Sequence, residues 1–164
     1  MLTTFISLDL LFLIPEIFLI FSIIIILIYS IFISTKYTLL NNKKYNTPII
    51  TTIITNLIIF TSFILIILYS QNLTNFQILF NGQFIISYYT QIGKIFIFGI
   101  TILCLLTFNS YLKNNQINNY EYLILILISI LSICLLLNTN DLLHYYIIIE
   151  LQSLCFYTIT ALKK

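Results

Sequence analysis

Arginine, tryptophan and valine are absent from this 164-residue chain, and alanine occurs once, at Ala161. Charge is scarce. Only 7% of residues are charged and every basic one is Lys, against 60% hydrophobic residues and a mean hydropathy of +1.08. Soluble domains carry about 25% charged residues. A water-surrounded fold with a single core is therefore excluded, and lipid is the expected solvent. A net charge of +2 gives no reason to expect nucleic acid. His144 is the sole histidine, which disfavours a haem held by two His ligands. Cys104, Cys134 and Cys155 lie inside apolar runs without a CxxC pair, so they read as packing residues rather than disulfides or metal ligands. No Gly-rich phosphate loop, nucleophile triad or metal-ligand cluster occurs. No cleavable signal peptide is expected, because the first apolar run carries Asp9 and Glu16 and lacks a basic start.

What is present is Ile, Leu, Asn, Tyr, Phe and Lys, residues with A/T-rich codons. An A/T-rich genome follows, expected to be an organelle's; a nuclear or bacterial genome of that bias is the alternative. Five apolar runs reach the roughly 20 residues needed to cross ~30 Å of hydrocarbon. They lie at about 10–34, 48–69, 92–111, 121–137 and 142–162 of a single membrane domain, 1–164. Open strands would leave backbone groups unpaired in lipid. The expected fold is thus an all-α integral membrane protein with five transmembrane helices. Lys36, Lys43, Lys44, Lys113, Lys163 and Lys164 then fall on one face, with Asp9, Asp141 and Lys94 toward the other. Lysine-rich connections stay on the cytoplasm-like side, so the N-terminus is expected outside and the C-terminus inside, in the matrix of a mitochondrion. Between the second and third helices, Asn81-Gly82 stands between two strand-like runs, which predicts a small outer β-hairpin with a type I′ turn.

Glu150 is the anomaly. It lies eight residues into the last run, about 12 Å deep at ~1.5 Å per residue. A charge there costs on the order of 3 kcal/mol, so an intramembrane carboxylate points to function. Tyr146, Ser153 and Tyr157 share its helical face, whereas Ile148 and Cys155 lie opposite. This hydroxyl stripe suits a proton path; a helix–helix hydrogen bond is the plainer alternative. Lys94 reads as a side chain snorkelling to the outer surface, with a part in proton relay as its secondary role. His144 reads as an interfacial hydrogen-bonder before a catalyst. Glu16, beside Pro15, and Glu121 each suit the dipole at a helix N-terminus.

Asn140-Asp141-Leu142-Leu143, then Glu150-Leu151-Gln152-Ser153-Leu154 and Tyr157, resembles the stretch around the fifth helix of subunit 2 of mitochondrial NADH:ubiquinone oxidoreductase, complex I, and its bacterial counterparts. Pro15-Glu16-Ile17, Lys94 and Tyr120-Glu121-Tyr122 fit as well. The Glu-Leu-Gln-Ser-Leu run sets subunit 2 apart from its antiporter-like sisters, which share the Glu but not its neighbours. Ser132-Ile133-Cys134 departs from the family, which often has Gly there, and Ser87 replaces a common acidic residue. Family members also continue well past a fifth helix. The resemblance implies a subunit of a proton-translocating enzyme with no complete active site in this chain. Glu150 would be the acidic half of a switch whose Lys sits on the family's seventh helix. NADH, FMN, iron–sulfur clusters and ubiquinone would belong to other subunits, leaving no cofactor here beyond expected phospholipids. The implied partners are other membrane-arm subunits and a second polypeptide carrying the remaining helices, as from a split gene. The implied place is the mitochondrial inner membrane, multi-pass, with mitochondrial encoding. The alternative is a structural or assembly scaffold of that membrane, whose Glu150 only bonds a neighbouring helix.

Overall fold

A computed structural model describes residues 13–39, 47–70, 77–115 and 120–161. The expected start of the first helix at Leu10, together with Asp9, Lys43, Lys44, Lys163 and Lys164, lies outside these residues, as do the side chains of Lys36 and Lys113. The lysine pattern behind the expected orientation is therefore almost wholly outside them too.

Among the described residues there are five α-helices: α1 (Ile14–Leu39), α2 (Thr47–Ser70), α3 (Tyr88–Asn115), α4 (Tyr120–Asn138) and α5 (Leu142–Ala161). Between α2 and α3 lie two short strands, β1 (Gln77–Leu79) and β2 (Phe84–Ile86). Helices α1, α3, α4 and α5 are long and apolar enough to cross a membrane, and α2 contributes the apolar stretch Ile54–Ile67. Helical structure outruns the apolar runs. Helix α1 continues to Leu39, past the expected Ser34, and α3 spans Tyr88–Asn115 rather than 92–111. The apolar run marks what lipid can cover, whereas the backbone ladder continues until a cap stops it. The early start of α3 has such a cause. The Thr90 amide donates to Ser87 Oγ (3.3 Å) and the Ser87 amide donates to Thr90 Oγ1 (3.0 Å), a reciprocal cap one residue before Tyr88.

Helix α4 is the hub, packed against α5, α1, α3 and α2, while α2 also meets α3 and α1. Leu19 and Ile26 of α1, Ile59 and Ile66 of α2, Phe98 and Leu105 of α3, and Leu127, Ile130 and Cys134 of α4 form the main core. Buried Ser22, Ser62 and Ser132 each donate to the carbonyl three residues back, at 2.7 to 2.8 Å. A hydroxyl satisfied on its own helix can sit in an apolar bundle without a partner helix. Cys155 is buried as well, whereas Cys104 is exposed on α3 and does not serve the core. Ile25, Phe32, Phe96, Leu103 and Leu154 face outward. An exposed apolar surface of that extent suits hydrocarbon rather than water.

The strands pair antiparallel in the register Gln77↔Ile86, Ile78↔Ile85 and Leu79↔Phe84. The expected hairpin is present, but its turn is not a two-residue type I′ turn. Pairing of Leu79 with Phe84 leaves Phe80 to Gln83 as the loop, in which Phe80 (φ 49°), Asn81 (φ 55°) and Gly82 (φ 93°) are all left-handed. Packing explains the extra length. Phe80 lies against Leu13, Leu79 and Ile86, with its ring edge-on to Phe84 at 6.2 Å. That burial offsets a positive φ that a bulky residue normally avoids. The α4–α5 junction fastens the hairpin: the Asn140 amide donates to the Gln83 carbonyl, and Asn140 Nδ2 to the Gly82 carbonyl, both at 3.0 Å.

No atom would obstruct a Cβ on Gly82, so Gly82→Ala isolates the backbone term at φ +93°. We expect a loss of about 1 kcal/mol, read as a lowered thermal midpoint in lipid nanodiscs, with faster amide exchange confined to the hairpin.

Candidate functional site

Two carboxylates in this bundle have opposite surroundings. Glu16, in the first turn of α1, is 3% exposed, and Lys94 of α3 is 0% exposed. The Lys94 ammonium donates to Glu16 Oε1, and Asn138 Nδ2, at the end of α4, donates to the same oxygen at 3.2 Å. Three helices thus meet at one carboxylate. Gln91, one turn before Lys94 on the same face of α3, is buried as well. Gly93 lets α3 approach α4 here, since a Cβ on it would sit 3.2 Å from Leu137 Cδ1.

Lys94 therefore does not snorkel. The core of α3, α1 and α4 closes over its stem, and a buried ammonium is tolerable only with a charged, hydrogen-bonded partner. Glu16 does occupy the positive end of a helix dipole, but its interaction with Lys94 is the specific one. Glu16, Gln91 and Asn138 were not legible as a group in the sequence. Glu16 stands 78 residues from Lys94 and 122 from Asn138, so no local spacing links them. The available signal was the presence of one cation and one anion near the same ends of two apolar runs.

Glu150 lies on α5, where Cys155 is the buried residue. Its face points away from α4. Tyr146 (64% exposed) and Tyr157 (70%) flank it, and Glu150 itself is exposed. The stripe is geometrically present, and Ser153 Oγ donates to the Glu150 backbone carbonyl at 2.8 Å rather than to the carboxylate. Among the described residues no side chain pairs with the Glu150 carboxylate. Lys94 is already engaged by Glu16. His144 stands apart from Glu150, next to the hairpin. Its Nδ1 lies 3.6 Å from Asp141 Oδ2 and its ring 5.8 Å from that of Phe84. His144 thus belongs to the junction that holds the hairpin. Among the described residues no group of three or more His, Cys, Asp or Glu side chains could hold a metal ion.

No protein-family model matches the chain. It is 35% identical over 158 residues, 95% of its length, to NADH-ubiquinone oxidoreductase chain 2 of Marchantia polymorpha. It is 30% identical over 155 residues, 93% of its length, to NADH-quinone oxidoreductase subunit N of Pelagibacter ubique. A shorter match, 34% over 85 residues and 52% of the chain, links it to NADH-quinone oxidoreductase subunit N 1 of Thermodesulfovibrio yellowstonii. The chain spans 31%, 30% and 19% of these relatives, so it corresponds to a third of their length at most.

Removing one member of the Glu16–Lys94 pair should cost far more than removing both. Lys94→Met leaves a buried carboxylate unanswered and should lower stability by about 3–5 kcal/mol, whereas Lys94→Met with Glu16→Met should recover most of that loss. Thermal midpoints by circular dichroism in nanodiscs would show it. Additive losses in the double variant would mean that the two side chains are not coupled.

Proposed function

We propose, from the premise that this chain belongs to the family of NADH-ubiquinone oxidoreductase chain 2 and NADH-quinone oxidoreductase subunit N and matches about a third of its members' length, that it is a membrane-arm part of respiratory complex I in which Glu150 carries a translocated proton. The observation that carries this reading is the position of Glu150. It lies eight residues into a membrane-length helix, on a face with Tyr146, Ser153 and Tyr157 that α4 leaves open. A carboxylate at that depth is unfavourable unless a cation or water answers it. Lys94 and His144 do not, so the partner is a basic side chain from helices beyond this segment, carried by a continuation of the chain or by a companion polypeptide.

In this reading the exposed face of α5 is the seam with those helices. As the lysine approaches and withdraws, a proton leaves the lysine and one is taken up at Glu150. The tyrosine hydroxyls of the stripe can hold water between the two. NADH oxidation and quinone reduction, with their flavin and iron–sulfur groups, take place in other subunits. Phospholipid is the expected bound ligand. The lysine distribution supports an outward N-terminus and an inward C-terminus, and the A/T-biased composition supports the mitochondrial inner membrane and mitochondrial encoding.

The test is Glu150→Gln in the assembled complex, with protons translocated per NADH oxidised measured alongside the amount of complex on native gels. We expect normal assembly with proton translocation reduced severalfold. Unchanged translocation rejects the proton role, and loss of assembly with normal specific activity of the remaining complex makes Glu150 a structural contact.

A further inference from the structure

Three oxygen atoms of the Glu16–Lys94 pair and its polar neighbours, Asn138 on Glu16 and Gln91 one turn from Lys94, are buried and have no hydrogen-bond partner: Glu16 Oε2, Gln91 Oε1 and Asn138 Oδ1. Their side chains are exposed by 3%, 2% and 1%. Such atoms are rare, because folded proteins pair nearly all buried polar groups, and lipid around the bundle offers no relief. Turning the Asn138 amide over does not help. It would remove the 3.2 Å donation to Glu16 Oε1 and place an oxygen against a carboxylate.

The donors nearby do not suffice. The Lys94 ammonium has three N–H groups, and Glu16 Oε1 takes one of them. A partner for these oxygens must donate to at least two acceptors and also accept from the ammonium. An alkali cation would find oxygens but would stand against the Lys94 charge. An anion would meet a carboxylate and two amide oxygens. A neutral molecule that donates twice and accepts twice answers two of the three oxygens and the ammonium, and a second such molecule answers the third; buried water with two to four polar partners is the usual solution.

We propose that Glu16, Gln91, Lys94 and Asn138 bind ordered water beneath the hairpin, so that the ion pair is a hydrated polar centre inside the bundle. The site is separate from Glu150 and stands whether or not Glu150 moves a proton. Such water links the Lys94 ammonium to Glu16 Oε2 and serves the amide oxygens, one molecule donating to Glu16 Oε2 and one amide oxygen and a second to the other amide oxygen. It also sets the role of Gln91, whose burial the ion pair alone does not explain.

The experiment is a cryo-electron-microscopy map of the assembled membrane complex, at a resolution that shows other internal waters. The expected result is a peak within about 2.6–3.2 Å of at least two of Lys94 Nζ, Glu16 Oε2, Gln91 Oε1 and Asn138 Oδ1. In Gln91→Leu that peak should be lost while the Lys94–Glu16 contact persists. An empty position among otherwise visible waters overturns the proposal, as does a side chain of another subunit that fills it. If Gln91→Leu fails to assemble, solid-state NMR of the unaltered complex decides instead. Rapid transfer of water magnetisation to Lys94 Nζ supports the site, and transfer no faster than at apolar core positions refutes it.

Discussion

A polar group enclosed in an apolar bundle must find a partner. Lys94 and Glu16 show how strictly this chain obeys that constraint. The ammonium and the carboxylate come from helices far apart in sequence, and Asn138 adds a third helix to the same oxygen. An ion pair buried this deeply adds little net stability against a well-packed apolar pair. What it adds is discrimination. Any other rotation of α1 or α3 about its axis would leave a charge in oil, so the pair fixes how α1, α3 and α4 face one another. The leucines and isoleucines around it would tolerate many packings.

Glu150 follows the same rule by a different route. Nothing in the described bundle answers it, and its helix presents a broad open face: 6% of α5 is buried, against 50% of α4. A helix held on one side only is placed for contact with something else. The asymmetry between α4 and α5 also divides the chain into parts with different duties. Helices α1 to α4 make a self-contained core with its own polar lock, while α5 leans on α4 and offers its other side outward.

The membrane character and the helices were legible in the sequence because lipid leaves few choices: an apolar run of membrane length must be helical. The face of Glu150 was legible too, because spacing within one helix fixes which residues lie together, and Cys155 is buried opposite. What was not legible came from between the helices. Lys94 has the sequence context of a surface anchor, and only the approach of α1 reveals its partner. The hairpin was signalled by Asn81-Gly82, yet the pull of Phe80 into the Leu13–Leu79–Ile86 cluster set a longer loop than the dipeptide implies. Asn140 was visible as part of a familiar run, but its work in tethering the hairpin was not.

The junction between α4 and α5 is short, residues 139–141, because α4 ends at Asn138 and α5 begins at Leu142. It is pinned on one side by Asn138 in the ion-pair cluster and on the other by Asn140 on the hairpin. The angular phase of α5 is therefore set at its first turn. A helix advances about 100° and ~1.5 Å per residue, so inserting or deleting one residue here would swing Glu150 a quarter-turn or more round the axis, with little change to its depth and none to its chemistry. The compass bearing of that carboxylate is decided about three turns of chain away, by two asparagines that never touch it.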